Sequence, residues 1–390
     1  MTRHQCRACR SFNLSRILDL GSQPPSNALL IAPDQEAKYP LRLMKCDSCT
    51  LCQLDFDVPP AELFGESYPY FSGQSAHWVE HCREYAEKVW TRLNLDSTAT
   101  VLEIGSNDGT LLKNFIGKCR AIGVDMSNSV ALEAERNGVP TTTAPFTRAI
   151  CWPTADLLIA NNVLAHTPDI EEFVATMQQT LAIDGVATIE FPWIVHLVEQ
   201  CQFDTIYHEH YSYLSVTALD KLFRRYNLYI YDLEHLPTHG GSLRIYVSRT
   251  TFTGVLEAVG GAKAREAELD YSHFAFRVAK IIADSSRFID YHRGLVYGYG
   301  AAAKGNTFLN TCRFSSFDIP AAGDTTPAKV GRFLPGSHIP VVSEDELLAL
   351  APPYILILPW NWKDEIVTRL RAKGYTGKFV TAIPELKVFE

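Results

Sequence analysis

Short apolar runs recur along the middle of the chain: Val101 to Ile104, Ala121 to Val124, Val139 to Thr142, Asp156 to Ala160 and Gly185 to Phe191. Runs of this length separated by longer helix-like stretches predict strands of a doubly wound parallel sheet. Before them, Ala76 to Leu95 places Trp78, Tyr85, Val89 and Leu93 near one face of an amphipathic helix. After them, Thr217 to Tyr226 predicts a helix, and Tyr229 to Glu234 and Leu243 to Val247 predict strands. Val255 to Ile289 holds no proline and predicts one long helical stretch. A second strand–glycine–helix unit at Gly294 to Asn306, a strand at Tyr354 to Leu358 and a helix near Trp362 to Lys373 predict another small α/β layer. Three domains are expected, over residues 1–70, 71–254 and 255–390.

The first strand runs into Glu103-Ile-Gly105-Ser-Asn107-Asp108-Gly109, and Thr110 to Ile116 then has helical spacing. Such a turn brings a ligand close to bare backbone, with Glu103, Asn107 and Asp108 as polar contacts. Asp125 ends the next strand, where a carboxylate accepts hydrogen bonds from both ribose hydroxyls of a nucleoside, and Met126 follows it. Asn162 and His166 lie where the fourth strand ends, facing the same crevice. The plainer alternatives are a tight βα turn and a helix cap at Asp125. A Gly-x-Gly-x-x-Gly turn for a dinucleotide pyrophosphate is missing, which favours S-adenosylmethionine as the ligand.

Composition narrows the class. The 390 residues are 46% hydrophobic and 21% charged with a net charge of −8, which describes a globular enzyme rather than a nucleic-acid binder. No run of about 18 apolar residues is present, and the N-terminal residues lack the apolar stretch of a secretory signal, so a cytoplasmic protein with no membrane segment is expected. Its ten cysteines are then metal ligands and buried thiols rather than disulfides. Cys6-x-x-Cys9 and Cys46-x-x-Cys49 form two knuckles that close a tetrahedral zinc site, and Cys52 adds a third spacing that makes one later cysteine spare. Four thiolates leave no open position, so the zinc is expected to be structural.

The densest polar text is Phe203-Asp-Thr-Ile-Tyr207-His208-Glu209-His210-Tyr211-Ser-Tyr213. Two histidines flanking a glutamate supply a general base beside a carboxylate, and the same pattern serves a metal site or a structural network. Tyrosines at Tyr68 and Tyr70 form either a lid or a hydrophobic hinge. The Gly240 loop beside His239, and Gly300, Lys304 and Lys329 further on, are candidate sugar or phosphate contacts without the frame of a Walker loop.

Taken together, the Cys-x-x-Cys pairs and the motifs at 103–109, 161–166, 203–210, 239–244 and 300–306 give a sequence that resembles the sugar C-methyltransferases acting on nucleotide-linked 4-keto deoxysugars. The resemblance covers nearly the whole chain. It implies an N-terminal zinc domain, a central class I methyltransferase domain and a C-terminal Rossmann-like domain that helps hold the nucleotide sugar. It implies His210 as the base, Tyr207 and Glu209 beside the sugar, and one of Tyr68 and Tyr70 at the reacting centre. His208, His239, Gly240, Lys304, Asn306 and Lys329 are the expected substrate contacts, in a monomer or weak oligomer that binds no nucleic acid. O- or N-methylation of a sugar, and a zinc-containing binding module without catalysis, are the alternatives.

Overall fold

A computed structural model describes residues 1–63, 71–250 and 256–390. Tyr68 and Tyr70 lie outside the described residues.

The N-terminal segment forms a small antiparallel sheet from β1 (Leu14–Gln23), β2 (Tyr39–Cys46) and β3 (Cys52–Leu54). Along β2 the period-two alternation buries Leu41 and Leu43. A short helix α1 (Pro60–Leu63) follows. In α2 (Ala76–Arg92), the Ser75 side chain caps the first turn by accepting from the Trp78 amide. Cys82, Tyr85, Ala86 and Val89 make its buried face, and they pack with Val101 and Leu157 of the central sheet and with Leu112 beside it.

The middle of the chain supplies β4 (Thr100–Ile104), β5 (Arg120–Asp125), α3 (Asn128–Arg136), β6 (Thr141–Thr143), β7 (Ala155–Asn161), α4 (Ile170–Thr180) and β8 (Leu181–Pro192). It continues with α5 (Ile194–Glu199), β9 (Ser212–Tyr213), α6 (Val216–Arg224), β10 (Tyr229–Leu236) and β11 (Ser242–Ser248). The seven-stranded sheet has the order β10-β11-β8-β7-β4-β5-β6. Strands β4 to β8 are parallel, and β11 runs antiparallel to β8. All five positions of β4 are buried, as a strand covered on both faces requires.

Two expected helices differ. In place of a helix over Thr110 to Ile116 there is one 3-10 turn, Leu112–Asn114. Asp108 holds the Thr110 amide and hydroxyl, and Gly109 and Gly117 take positive φ on either side, so the chain never completes an α-helical turn. The long stretch after residue 255 is two helices, α7 (Leu256–Ala267) and α8 (Tyr271–Tyr291). Asp270 caps α8 by accepting from the Ser272 and His273 amides, which restarts the helix where continuation was expected.

The C-terminal layer comprises β12 (Val296–Tyr299), α9 (Ala303–Thr311), β13 (Ala322–Asp324), β14 (Val341–Ser343), α10 (Glu344–Ala349), β15 (Tyr354–Ile357), α11 (Lys363–Ala372), β16 (Lys378–Thr381) and β17 (Lys387–Phe389). Its six-stranded sheet has the order β14-β13-β12-β15-β16-β17, parallel except for β17.

The three layers share one apolar core that includes Leu41 and Leu43, Leu158 and Ile189, and Phe308 and Ile319. One exchange between layers places the site: β9 pairs with β3 rather than with the central sheet, joining Gln53 to Ser212 and Cys52 to Tyr213. The Tyr-His-Glu-His loop therefore leads straight into the edge of the N-terminal sheet.

Candidate active site and metal centre

The thiols of Cys6, Cys9, Cys46 and Cys49 converge, with all four sulfurs within 4.8 Å of one another. Cys6 and Cys49 are 3.4 Å apart and Cys9 and Cys46 are 3.5 Å apart. Zn–S bonds of about 2.3 Å set tetrahedral edges of about 3.8 Å, so the residues fit a zinc ion. Cys52 is the spare one. It is buried beside the Tyr271 hydroxyl at 3.6 Å, and burial pushes its pKa up to about 12, as for an inert thiol.

The donor crevice opens at the C-terminal ends of β4, β5 and β7. Gly105 (φ +66°) and Gly109 (φ +77°) form its floor. A β-carbon on Gly105 would stand 2.5 Å from Val163 Cγ2, and one on Gly109 would stand 2.7 Å from Val139 Cγ2. Asn107, at φ +51°, donates its backbone N–H to Asp125 Oδ2 at 2.9 Å, while Oδ1 of Asp125 accepts from the Ser127 amide at 2.8 Å. Burial raises the Asp125 carboxyl above the usual range. Both oxygens keep lone pairs for a ribose edge-on. Asp108 is instead taken up by the protein: it accepts from the Gly73 amide and from Thr110, and Asn107 Oδ1 accepts from the Ser72 amide. These bonds lay residues 72–74 over the turn. Met126 is exposed beside it.

Glu103 Oε2 and both side-chain amide atoms of Asn161 and Asn162 are buried without a hydrogen bond among the described residues. Buried polar atoms are nearly always paired, so this cluster at adjoining strand ends has the donor set a nucleoside and an amino acid moiety require. Burial and the neighbouring Asp125 and Asp108 raise the Glu103 carboxyl well above its ordinary value. These residues fit S-adenosylmethionine: Asp125 would hold the ribose above the glycine turn, and Asn162 and Glu103 would offer the remaining polar contacts.

Across the crevice, His210 is half-buried and fixed at both ring nitrogens. Nδ1 lies 2.9 Å from the Thr205 carbonyl, which only accepts, so Nδ1 carries the hydrogen. Nε2 of the neutral ring then bears the lone pair, and the Tyr207 hydroxyl donates to it at 3.0 Å. The His166 ring packs edge-on at 4.7 Å and hydrogen-bonds the Glu209 backbone. Burial pushes the His166 pKa down to about 4, which keeps it neutral beside His210. Glu209 is buried, and its pKa is pushed up to about 7, chiefly by that burial. His208 turns the other way, its ring edge-on to Tyr39 of β2 at 6.0 Å, and burial lowers its pKa to about 4.

A third group of residues meets where α9 packs on Phe203–Thr205. Trp360 Nε1 donates to Asp204 Oδ2 at 2.8 Å, while Asp204 Oδ1 has no hydrogen bond among the described residues. Lys304 Nζ lies 5.0 Å from the Trp360 ring centroid and donates to Asn361 at 3.2 Å. Burial lowers its pKa, and Asp204 opposes that. The Gly240 carbonyl accepts from Gln202 Nε2 at 2.7 Å in the same group. The His239 side chain lies outside the described residues.

Two further expected substrate contacts, Asn306 and Lys329, are hydrogen-bonded within the protein. Asn306 is buried, and its Nδ2 donates to the Ser26 carbonyl of the N-terminal segment. Lys329 Nζ donates to the Ala301 carbonyl at 2.9 Å and so braces the second glycine turn.

Several residues here escaped sequence reasoning. Thr205 acts through a backbone carbonyl, which leaves no trace in residue type. Glu190 was hidden within an expected strand; it is fully buried, accepts from Arg244 Nη2 at 2.6 Å and from Thr238 Oγ1 at 3.1 Å, and lies 3.0 Å from His81 Nε2. An acid inside the apolar run Gly185 to Phe191 was the available signal.

Family models match along the chain: a zinc binding domain over residues 6–64, a methyltransferase domain over 76–233 and a C-methyltransferase C-terminal domain over 237–384. The C-methyltransferase NovU from Streptomyces niveus is 32% identical, over 98% of this chain and 96% of its own. The chain belongs to the C-methyltransferase family. It is an S-adenosylmethionine-dependent C-methyltransferase with a structural zinc site and a small-molecule acceptor. Among solved structures, an S-adenosylmethionine-dependent methyltransferase from Clostridium acetobutylicum is 12% identical at a TM-score of 0.37, covering 44% of this chain and 91% of its own. A magnesium protoporphyrin IX methyltransferase from Synechocystis is 14% identical at 0.37, covering 44% and 83%.

Proposed function

We propose that this C-methyltransferase methylates C3 of a nucleotide-linked 4-keto deoxysugar, a dTDP sugar in the simplest case. The observation that carries the proposal is the held tautomer of His210, whose Nδ1 is bonded to the Thr205 carbonyl and whose Nε2 accepts from the Tyr207 phenol. A ketone at C4 makes the C3 proton acidic, and a neutral imidazole is matched to remove it near neutral pH. Nε2 takes the proton, and the Thr205 carbonyl stabilises the imidazolium through Nδ1–H. The Tyr207 hydroxyl, released from Nε2 as that nitrogen is protonated, is free to donate to the developing enolate oxygen. Bound S-adenosylmethionine supplies a sulfonium methyl that needs no further activation. The glycine turn and the His210 loop have only to align the two carbons and exclude water.

For the nucleotide, we assign Lys304, set over Trp360 and bonded to Asn361, to the diphosphate, with the Gly240 loop beside it. Tyr68 and Tyr70 remain assigned to the reacting centre on the resemblance alone.

Incubating the protein with S-adenosylmethionine and a dTDP-4-keto deoxysugar should add one methyl mass. In deuterated water, without S-adenosylmethionine, the sugar should exchange its C3 hydrogen. His210→Ala should abolish both while leaving S-adenosylmethionine binding within about twofold. Full exchange in that variant would remove His210 from the role.

A further inference from the structure

We propose that Asn27, supplied by the zinc-binding segment, is a positioning residue for the catalytic loop: it holds the Glu209 carboxylate and thereby the place of the adjoining His210. Glu209 Oε1 accepts from both the Asn27 backbone N–H at 3.3 Å and its Nδ2 at 3.1 Å. The carboxylate is 1% exposed, and its other oxygen has no hydrogen bond among the described residues. Asn27 thus provides two of the hydrogen bonds to this side chain, and the backbone N–H of Glu209 itself supplies another. A buried carboxylate with so few donors is oriented by those it has.

Asn27 is itself held. It follows Pro24-Pro25, whose rings fix φ, and it sits in a loop clamped against α9. Gln23 Nε2 donates to Thr311 Oγ1 at 2.9 Å, Ser26 Oγ lies 3.3 Å from Thr307 Oγ1, and Asn306 Nδ2 donates to the Ser26 carbonyl at 3.3 Å. A continuous hydrogen-bonded path therefore runs from the helix that carries Lys304, through residues 23–27, to Glu209. On the other side the Glu209 backbone holds His166. Among the described residues, Tyr211 and Tyr213 of its own loop interact electrostatically with Glu209, His208 and His210 flank it in the chain, His166 of the Leu164–His166 turn bonds its backbone, and Arg7 of the N-terminal segment is stacked on Tyr211 beyond them. None of them is bonded to its carboxylate oxygens. The zinc-binding segment, on this inference, completes the active site as well as stabilising the chain around it.

This deepens the proposed function and rests on it for its kinetic readout. Asn27→Ala removes the amide, and Asn27→Asp keeps its shape but turns a carboxylate toward Glu209. Both variants should keep wild-type zinc content and S-adenosylmethionine affinity, and both should slow kcat and C3 exchange by about ten- to a hundredfold. Asn27→Asp should lose more, and the acidic limb of its rate profile should move to higher pH because a second carboxylate disfavours ionisation of the first. Wild-type exchange in Asn27→Ala overturns the inference. So does a fall in activity that merely tracks the melting temperature, with an unmoved pH profile. A second arm needs no substrate: a double-mutant cycle of Asn27→Ala and Glu209→Gln on thermal stability should show coupling, and strict additivity overturns the inference. If the wild-type protein neither methylates nor exchanges the keto sugar, the functional proposal fails by itself, and the cycle still decides whether Asn27 acts on Glu209.

Discussion

The proposed chemistry turns on two neighbouring side chains with opposite problems. His210 needs an available lone pair, and the Thr205 carbonyl provides it by fixing the hydrogen on Nδ1. Glu209 is an acid forced into an apolar place, with its pKa pushed up to about 7 from an ordinary value near 4.5. Between those values the folded protein holds a proton that the unfolded chain has released, so stability falls as pH rises through that window, by about 3 kcal/mol across all of it. Glu209→Gln removes the titration. Its stability relative to wild type should therefore rise by about 2 kcal/mol between pH 5 and pH 8, read from thermal or urea unfolding at the two pH values, while turnover falls. An offset that is the same at both pH values would contradict the burial of an ionisable Glu209. The residue types in Tyr207 to His210 were legible as chemistry. Residue type alone did not separate the two histidines, and only the family resemblance singled out His210; the fold sets His208 against Tyr39 and His210 between Thr205 and Tyr207.

Among the elements, the exchanged strand β9 is the informative one. Two residues of the methyltransferase loop complete the sheet whose other strands carry or adjoin the zinc thiols. Arg7, one residue after Cys6, donates to the Tyr211 carbonyl at 3.1 Å, and the Leu54 amide donates to the same carbonyl at 3.0 Å. Structural zinc contributes on the order of 10 kcal/mol to small domains, so its loss should release this sheet. Cys9→Ser with Cys46→Ser, or strong chelation, should abolish methyl transfer while S-adenosylmethionine affinity changes by less than about tenfold. Hydrogen exchange at residues 212–213 should rise in parallel. Retained turnover in the metal-free protein would show that β9 holds its place without the zinc segment. The Cys-x-x-Cys spacing predicted the ion, but a two-residue strand carries too little pattern to be recognised. The glycine turn shows the same divide: its position was legible, whereas its helix shrank to a 3-10 turn because Asp108 captured Thr110.

At the scale of the whole molecule, the proposed acceptor region draws on all three layers: Asn27 from the first, Asp204 and His210 from the second, Lys304 and Trp360 from the third. The donor crevice draws on the central sheet and the residues 72–74 that cover it. This division makes a kinetic prediction. Trp360→Phe keeps an aromatic ring near Lys304 but loses the N–H bonded to Asp204 together with the second ring of the indole. KM for the nucleotide sugar should rise by about tenfold, with S-adenosylmethionine affinity unchanged within twofold, measured by initial rates and by titration. Equal losses for both ligands would show that the two regions are not separate.

The chain by itself determined what depends on local pattern and on side-chain chemistry. Apolar runs specify buried strands, paired Cys-x-x-Cys knuckles specify a thiolate metal site, and the glycine spacing with Asp125 favours a nucleoside without a pyrophosphate. Tertiary structure decided everything that depends on contact between residues far apart in sequence. It bonded Asn306 to the Ser26 carbonyl and Lys329 to the Ala301 carbonyl, and it hid Glu190 in a buried ion pair with Arg244. It also brought Asn27 to Glu209 across 182 positions. The physical reason is that a hydrogen bond depends on distance and angle, and only packing sets those between separate layers of the fold.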